Sequence, residues 1–116
     1  IGQGAADALQ TGDKNIAIGR LALSSSQDAD NCIAIGYAAM NANNDANSDG
    51  TVGIGYAALN NVTSGAGNVG VGYEVLKQVT TGEQNTAVGF YSLDAEVDGD
   101  KSTAVGYQAL TAQTGM

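Results

Sequence analysis

The sequence predicts an all-β fold, a β-solenoid (parallel β-roll) of about seven 17-residue coils, and three observations lead there. A glycine preceded by Ile or Val recurs at Gly2, Gly19, Gly36, Gly55, Gly72, Gly89 and Gly106, at intervals of 17, 17, 19, 17, 17 and 17 residues. Such a fixed period marks stacked supersecondary units, each unable to bury its apolar surface alone. Before each of these glycines β-branched residues alternate with small ones, the period-two pattern of a strand. There is no proline anywhere in the 116 residues, as expected where every strand amide has to donate to a neighbouring strand.

Each coil opens on a nine-residue core, written out as NIAIGRLAL, CIAIGYAAM, TVGIGYAAL, NVGVGYEVL, NTAVGFYSL and STAVGYQAL. Ile16, Ile33, Val52, Val69, Thr86 and Thr103 form one β-branched column, and Ile1, Ile18, Ile35, Ile54, Val71, Val88 and Val105 form the other. Two positions apart, they share one strand face. That spacing predicts that they line the coil interior. Between them stand Ala17, Ala34, Gly53, Gly70, Ala87 and Ala104, and never anything larger. A face so restricted reads as closely covered, and we expect it to meet a neighbouring chain in a side-by-side homotrimer or a homopolymer.

The glycine is the bend that ends the strand. An aromatic column follows it, Tyr37, Tyr56, Tyr73, Phe90 and Tyr107, with Arg20 and Gln3 at the equivalent earlier positions. Three residues later Leu23, Met40, Leu59, Leu76, Leu93 and Leu110 close the core. The eight-residue connectors carry a second turn signal, Thr11-Gly12, Ser64-Gly65, Thr81-Gly82 and Asp98-Gly99. Only the connector from Asn41 to Gly50 is longer, by two residues. Asn15, Asn68 and Asn85 at the start of the core are either turn residues or a side-chain ladder. The chain opens inside a repeat and reads as one tandem-repeat segment, residues 1–116, of a longer fibre.

These cores resemble the repeats of trimeric autotransporter adhesin heads, built around N-S-V-A-I-G type sequences, and the NTAVGYQAL-type repeats of phage tail fibres. The resemblance spans the chain. It implies a left-handed parallel β-roll, three copies of which associate into a trimer that contacts host matrix or cell surfaces. The period of 17 exceeds the adhesin heads' period near 14, which implies a different coil cross-section.

Composition narrows the functions. With no Trp, one Phe, five Tyr and 17 Gly, each position buries little area, so stability has to come from regular stacking or from other chains. A formal charge of −8 argues against nucleic acid and anionic lipid as partners. No apolar run is long enough to insert in a membrane. The absence of histidine removes the usual general base and metal ligand. Cys32, the single cysteine, has no basic neighbour in sequence and reads as an inert structural thiol. Gly53-Ile54-Gly55-Tyr56-Ala57-Ala58 matches a dinucleotide fingerprint in letters, but the same glycine recurs in every coil and no helix is expected after it.

A metal reading attaches to the lengthened connector, where Asp45, Asn47, Asp49 and Gly50 have the spacing that opens a calcium loop; Asp94, Glu96, Asp98 and Asp100 form a looser version. The closing Glu is missing from both, since Tyr56 and Val105 occupy that position. No other cofactor is expected. Together these readings predict a non-catalytic structural or adhesive shaft of an extracellular, cell-surface or virion fibre, with receptor contacts through its connectors. The alternatives are a subunit of a self-assembling extracellular filament and a calcium-binding or ice-binding solenoid.

Overall fold

The computed structural model describes residues 1–42 and 48–112. Six three-residue strands, β1 (Ile16–Ile18), β2 (Ile33–Ile35), β3 (Val52–Ile54), β4 (Val69–Val71), β5 (Thr86–Val88) and β6 (Thr103–Val105), form one parallel sheet in sequence order. The register never slips: Ile16 pairs with Ile33, Ile33 with Val52, and so on to Thr86 with Thr103. The chain is thus a β-solenoid of about five turns, 35 × 22 × 17 Å overall. Seven glycines align in sequence but six strands form, because only Ile1 precedes Gly2 in this chain.

The bend glycines stitch neighbouring coils. The amide of each donates to the residue before the glycine one coil earlier, as in Gly36 to Ile18 at 2.7 Å and Gly72 to Ile54 at 2.8 Å. Beyond the bend, the backbone does something the sequence did not announce. Leu21, Leu23, Ala38, Met40, Ala57, Leu59, Glu74, Leu76, Tyr91 and Leu93 have φ between +49° and +61°, a region that costs an L-residue about 1 kcal/mol or more. The intervening residue reverses the peptide direction, so that the Leu21 amide reaches back to Gln3 O (3.0 Å) while the Leu23 amide reaches forward to Ala39 O (2.9 Å). The strained backbone is held because it lets the chain bond both neighbouring coils while turning.

The sheet faces the other way from the sequence-based expectation. Ala34, Ala87 and Ala104 are 0–3% exposed and belong to one core cluster with Leu23, Met40, Leu59, Leu76 and Leu93. A Cβ placed on Gly53 would lie 2.9 Å from Met40 Cγ, and one on Gly70 would lie 3.1 Å from Val75 Cγ1 and 3.2 Å from Leu59 Cδ1. The column Ala17, Ala34, Gly53, Gly70, Ala87, Ala104 therefore packs against its own chain's Leu and Met ladder and is not available to a neighbour. The β-branched columns point outward, with Ile16 47% and Val105 70% exposed. The coil is too narrow for two branched side chains to enter opposite leucine, and so the small column turns in.

Candidate functional site

Two features set this rod apart from a bare scaffold: an apolar outer face and a polar corner. On the outer face the two β-branched columns stand beside the aromatic column, one residue past the bend. Tyr37 and Tyr56 stack at 5.3 Å between ring centroids, Tyr56 and Tyr73 at 4.9 Å, and Tyr73 and Phe90 at 4.7 Å, all within 11° of parallel. Tyr107 continues the row at a tilt, Tyr91 sets its edge against Phe90, and the Arg20 guanidinium closes it 5.8 Å above Tyr37. The spacing follows from the coil rise, near 4.8 Å for hydrogen-bonded strands. Ring faces cover one another. What reaches solvent is a row of ring edges and hydroxyls.

The polar corner is built from the residue that begins each core. Asn68 and Asn85 are fully buried. The Asn68 side-chain amide donates to Gly82 O (2.7 Å) and Gly65 O (3.1 Å), and its Oδ1 accepts from the Asn85 amide (2.9 Å). Asn85 repeats this with Gly99 O and the Ser102 amide, and Asn15 with Ala29 O and the Cys32 amide. The ladder reading of these asparagines is thus the one the structure adopts, running from each side chain to the next coil's backbone. In the coils on either side of the lengthened connector smaller donors take the position: Cys32 Sγ reaches Ser48 O and Asp30 O, each at 3.4 Å, and Thr51 Oγ1 reaches Gly65 O at 3.3 Å. Burial pushes the Cys32 thiol above its ordinary value, with the charges of Asp49 and Asp30 acting in the same direction.

The acidic residues serve the same stitching. Asp30 Oδ1 accepts from the Asp13 amide (2.6 Å), Asp49 Oδ1 from the Asp30 amide (2.9 Å), and Asp100 Oδ1 from the Glu83 amide (2.7 Å). Of the residues with calcium-loop spacing, Asp45 and Asn47 lie outside the described residues, while Asp49 occupies this ladder. In the second acidic connector the residues diverge: Asp98 and Asp100 are exposed, whereas Glu96 is fully buried and its Oε1 accepts from the amides of Gly99 (2.7 Å) and Val97 (3.2 Å). Ser26, one of its counterparts in another coil, accepts from the Ala29 amide in the same way. No group of three or more His, Cys, Asp or Glu able to hold a metal ion occurs among the described residues.

The fingerprint glycines Gly53 and Gly55 lie in β3 and in its closing bend, so no helix follows to receive a pyrophosphate. Sequence reasoning found the columns but missed the acidic ladder and the left-handed turns. The ladder had a signal, an acidic residue at the same position in five coils, Asp13, Asp30, Asp49, Glu83 and Asp100. No family model, curated protein or solved structure matches the chain.

Proposed function

We propose that the chain is a rigid, non-catalytic shaft of an oligomeric extracellular, cell-surface or virion fibre, with receptor contacts carried by its connectors. The observation that supports this most is the uninterrupted register of β1 to β6, in which each coil makes the same hydrogen bonds to the coil before and after it. A rod of this kind gains length by adding coils without changing its cross-section. The connectors vary in sequence while the inward columns stay fixed in size, which is how a frame separates support from contact.

Removal of one coil tests it. Deleting residues 67–83 joins Ala66 to Gln84 in phase, with every column kept. A shaft should remain folded and shorten by about 4.8 Å, the separation of adjacent strands, with an unchanged cross-section in small-angle X-ray scattering. Loss of β-structure, or a changed cross-section, would contradict the shaft reading.

A further inference from the structure

We propose that Tyr56 is a site of oxidative crosslinking, coupling through ring carbons to Tyr73 or Tyr37 on an adjacent coil of the same chain, with hydrogen peroxide and a haem peroxidase as the oxidant. Of the five tyrosines, only Tyr37, Tyr56 and Tyr73 follow one another without interruption along the ladder. In sequence they are 19 and 17 residues apart. In the fold their ring centroids are 5.3 and 4.9 Å apart, with planes within 11° of parallel. The backbone fixes that spacing at the rings themselves: the Ala57 amide donates to Tyr37 O and the Glu74 amide to Tyr56 O, both at 2.8 Å. The three rings are 38–44% exposed, so a small oxidant or an enzyme surface reaches them. Rings this exposed also turn readily about the Cβ–Cγ bond, a broad torsion, which brings the edge of one ring to the edge of the next.

The coupling needs two phenols within reach of each other. Peroxide, reduced by the peroxidase to two waters, takes one electron and the phenolic proton from each of two tyrosines. The unpaired electron of each tyrosyl radical spreads onto the Cε carbons beside the oxygen-bearing one. A Cε–Cε bond then joins the rings, each coupled carbon loses its hydrogen as a proton, and each oxygen takes a proton back. The product is a pair of linked phenols, lighter by two hydrogen atoms. Radicals on separate chains have to meet by diffusion, whereas in the ladder the step is intramolecular. The other tyrosines are placed less well. Tyr107 has Phe90 as its column neighbour, at 5.9 Å and without a phenolic oxygen, and Tyr91 meets Tyr73 edge to face at 89°. The tie also falls where the polar corner lacks its asparagine, because Tyr37 and Tyr56 belong to the coils that begin with Cys32 and Thr51. Each bond closes a loop of one coil and restricts the unfolded chain as a disulfide does.

The test is to treat the folded 116-residue chain with a haem peroxidase and hydrogen peroxide and to map the product by mass spectrometry. Chymotryptic cleavage after Met40 and Leu59 places the three tyrosines in different peptides. The product should run at the 11.6 kDa of one chain, lack two hydrogen atoms, show the blue fluorescence of linked phenols, and join the Tyr56 peptide to that of Tyr73 or Tyr37. Its urea midpoint should rise by about 1 M. Tyr56→Phe, which keeps a ring in the stack, should lower the yield of crosslinked single chains at least tenfold, and Tyr107→Phe should leave it unchanged. Bonds formed chiefly between chains, at Tyr107 or between Tyr73 and Tyr91 overturn the proposal. An equal yield from the chain unfolded in urea overturns it as well, and neither this comparison nor the wild-type peptide map depends on a variant folding.

Discussion

Gly55→Ala puts the stacking of the bends under the most direct strain. A Cβ on Gly55 would sit 2.7 Å from the Gly72 carbonyl carbon and closer still to its oxygen, where ordinary carbon contacts begin near about 3.5 Å. The next coil would have to retreat by about 1 Å, stretching the Gly72 amide to Ile54 O (2.8 Å) and Glu74 amide to Tyr56 O (2.8 Å) hydrogen bonds, each contributing about 1 kcal/mol. The backbone itself, at φ +136°, adds about 1–3 kcal/mol of strain for any residue with a Cβ. The expected loss is about 3–5 kcal/mol. Gly67→Ala is the control: its φ is +66°, the nearest heavy atom is Gln84 Cγ at 3.6 Å, and the same column already holds Lys14, Asn31, Gln84 and Lys101 at φ +57° to +60°. It should cost about 1 kcal/mol. In urea denaturation followed by circular dichroism, a loss of that size moves the midpoint by well over 1 M at an m-value of about 1–3 kcal/mol/M. If Gly55→Ala and Gly67→Ala prove equally stable, the carbonyl-to-glycine stacking is wrong.

Asn68→Ala should destabilise by about 2–4 kcal/mol in the same assay, because it strands the buried Asn85 amide and the Gly82 carbonyl that Asn68 now satisfies. A value under 0.5 kcal/mol would show that the corner ladder contributes little. Ala87→Leu overpacks the interior and should cost about 1–3 kcal/mol, while Thr86→Leu, one residue away and pointing outward, should leave chain stability within about 0.5 kcal/mol; the reverse order would restore the facing expected from sequence. For Cys32, the raised thiol pKa means that the folded chain keeps its proton where the unfolded chain loses it. Stability should therefore be unaffected by this group below about pH 8.5 and fall as pH rises above it. Thiol reagents at pH 8 should react slowly until denaturant is added, and prompt reaction with the native chain would refute the burial.

The coil, its period, its bends and its leucine ladder were legible in the sequence because stacking forces every coil to solve the same steric problem at the same position. Facing was misread for an instructive reason. Branched size suggested interior, but the limit on volume was the better guide: a column that accepts only Ala or Gly is the one with no room, whereas one that moves from Ile16 and Ile33 to Thr86 and Thr103 tolerates polarity because it is outside. The positive-φ residues could not be foreseen, since Leu, Met and Tyr carry no preference for that region and are held there by bonds to two other coils. Glu96 is similar: its carboxylate reads as solvent-facing in a linear sequence, and in the fold it turns inward, where it accepts from the Gly99 and Val97 amides.

Amide hydrogen exchange by NMR tests the stacked-coil account most directly. Each bend amide donates to the preceding coil, and the amides of Leu23, Met40, Leu59, Leu76 and Leu93 donate to the following one. Protection should therefore peak at Gly19, Gly36, Gly55, Gly72 and Gly89, every 17 residues except for the interval of 19 between Gly36 and Gly55, with a second series at the leucine column. Protection gathered into one contiguous block, or recurring at a helical period, would contradict it.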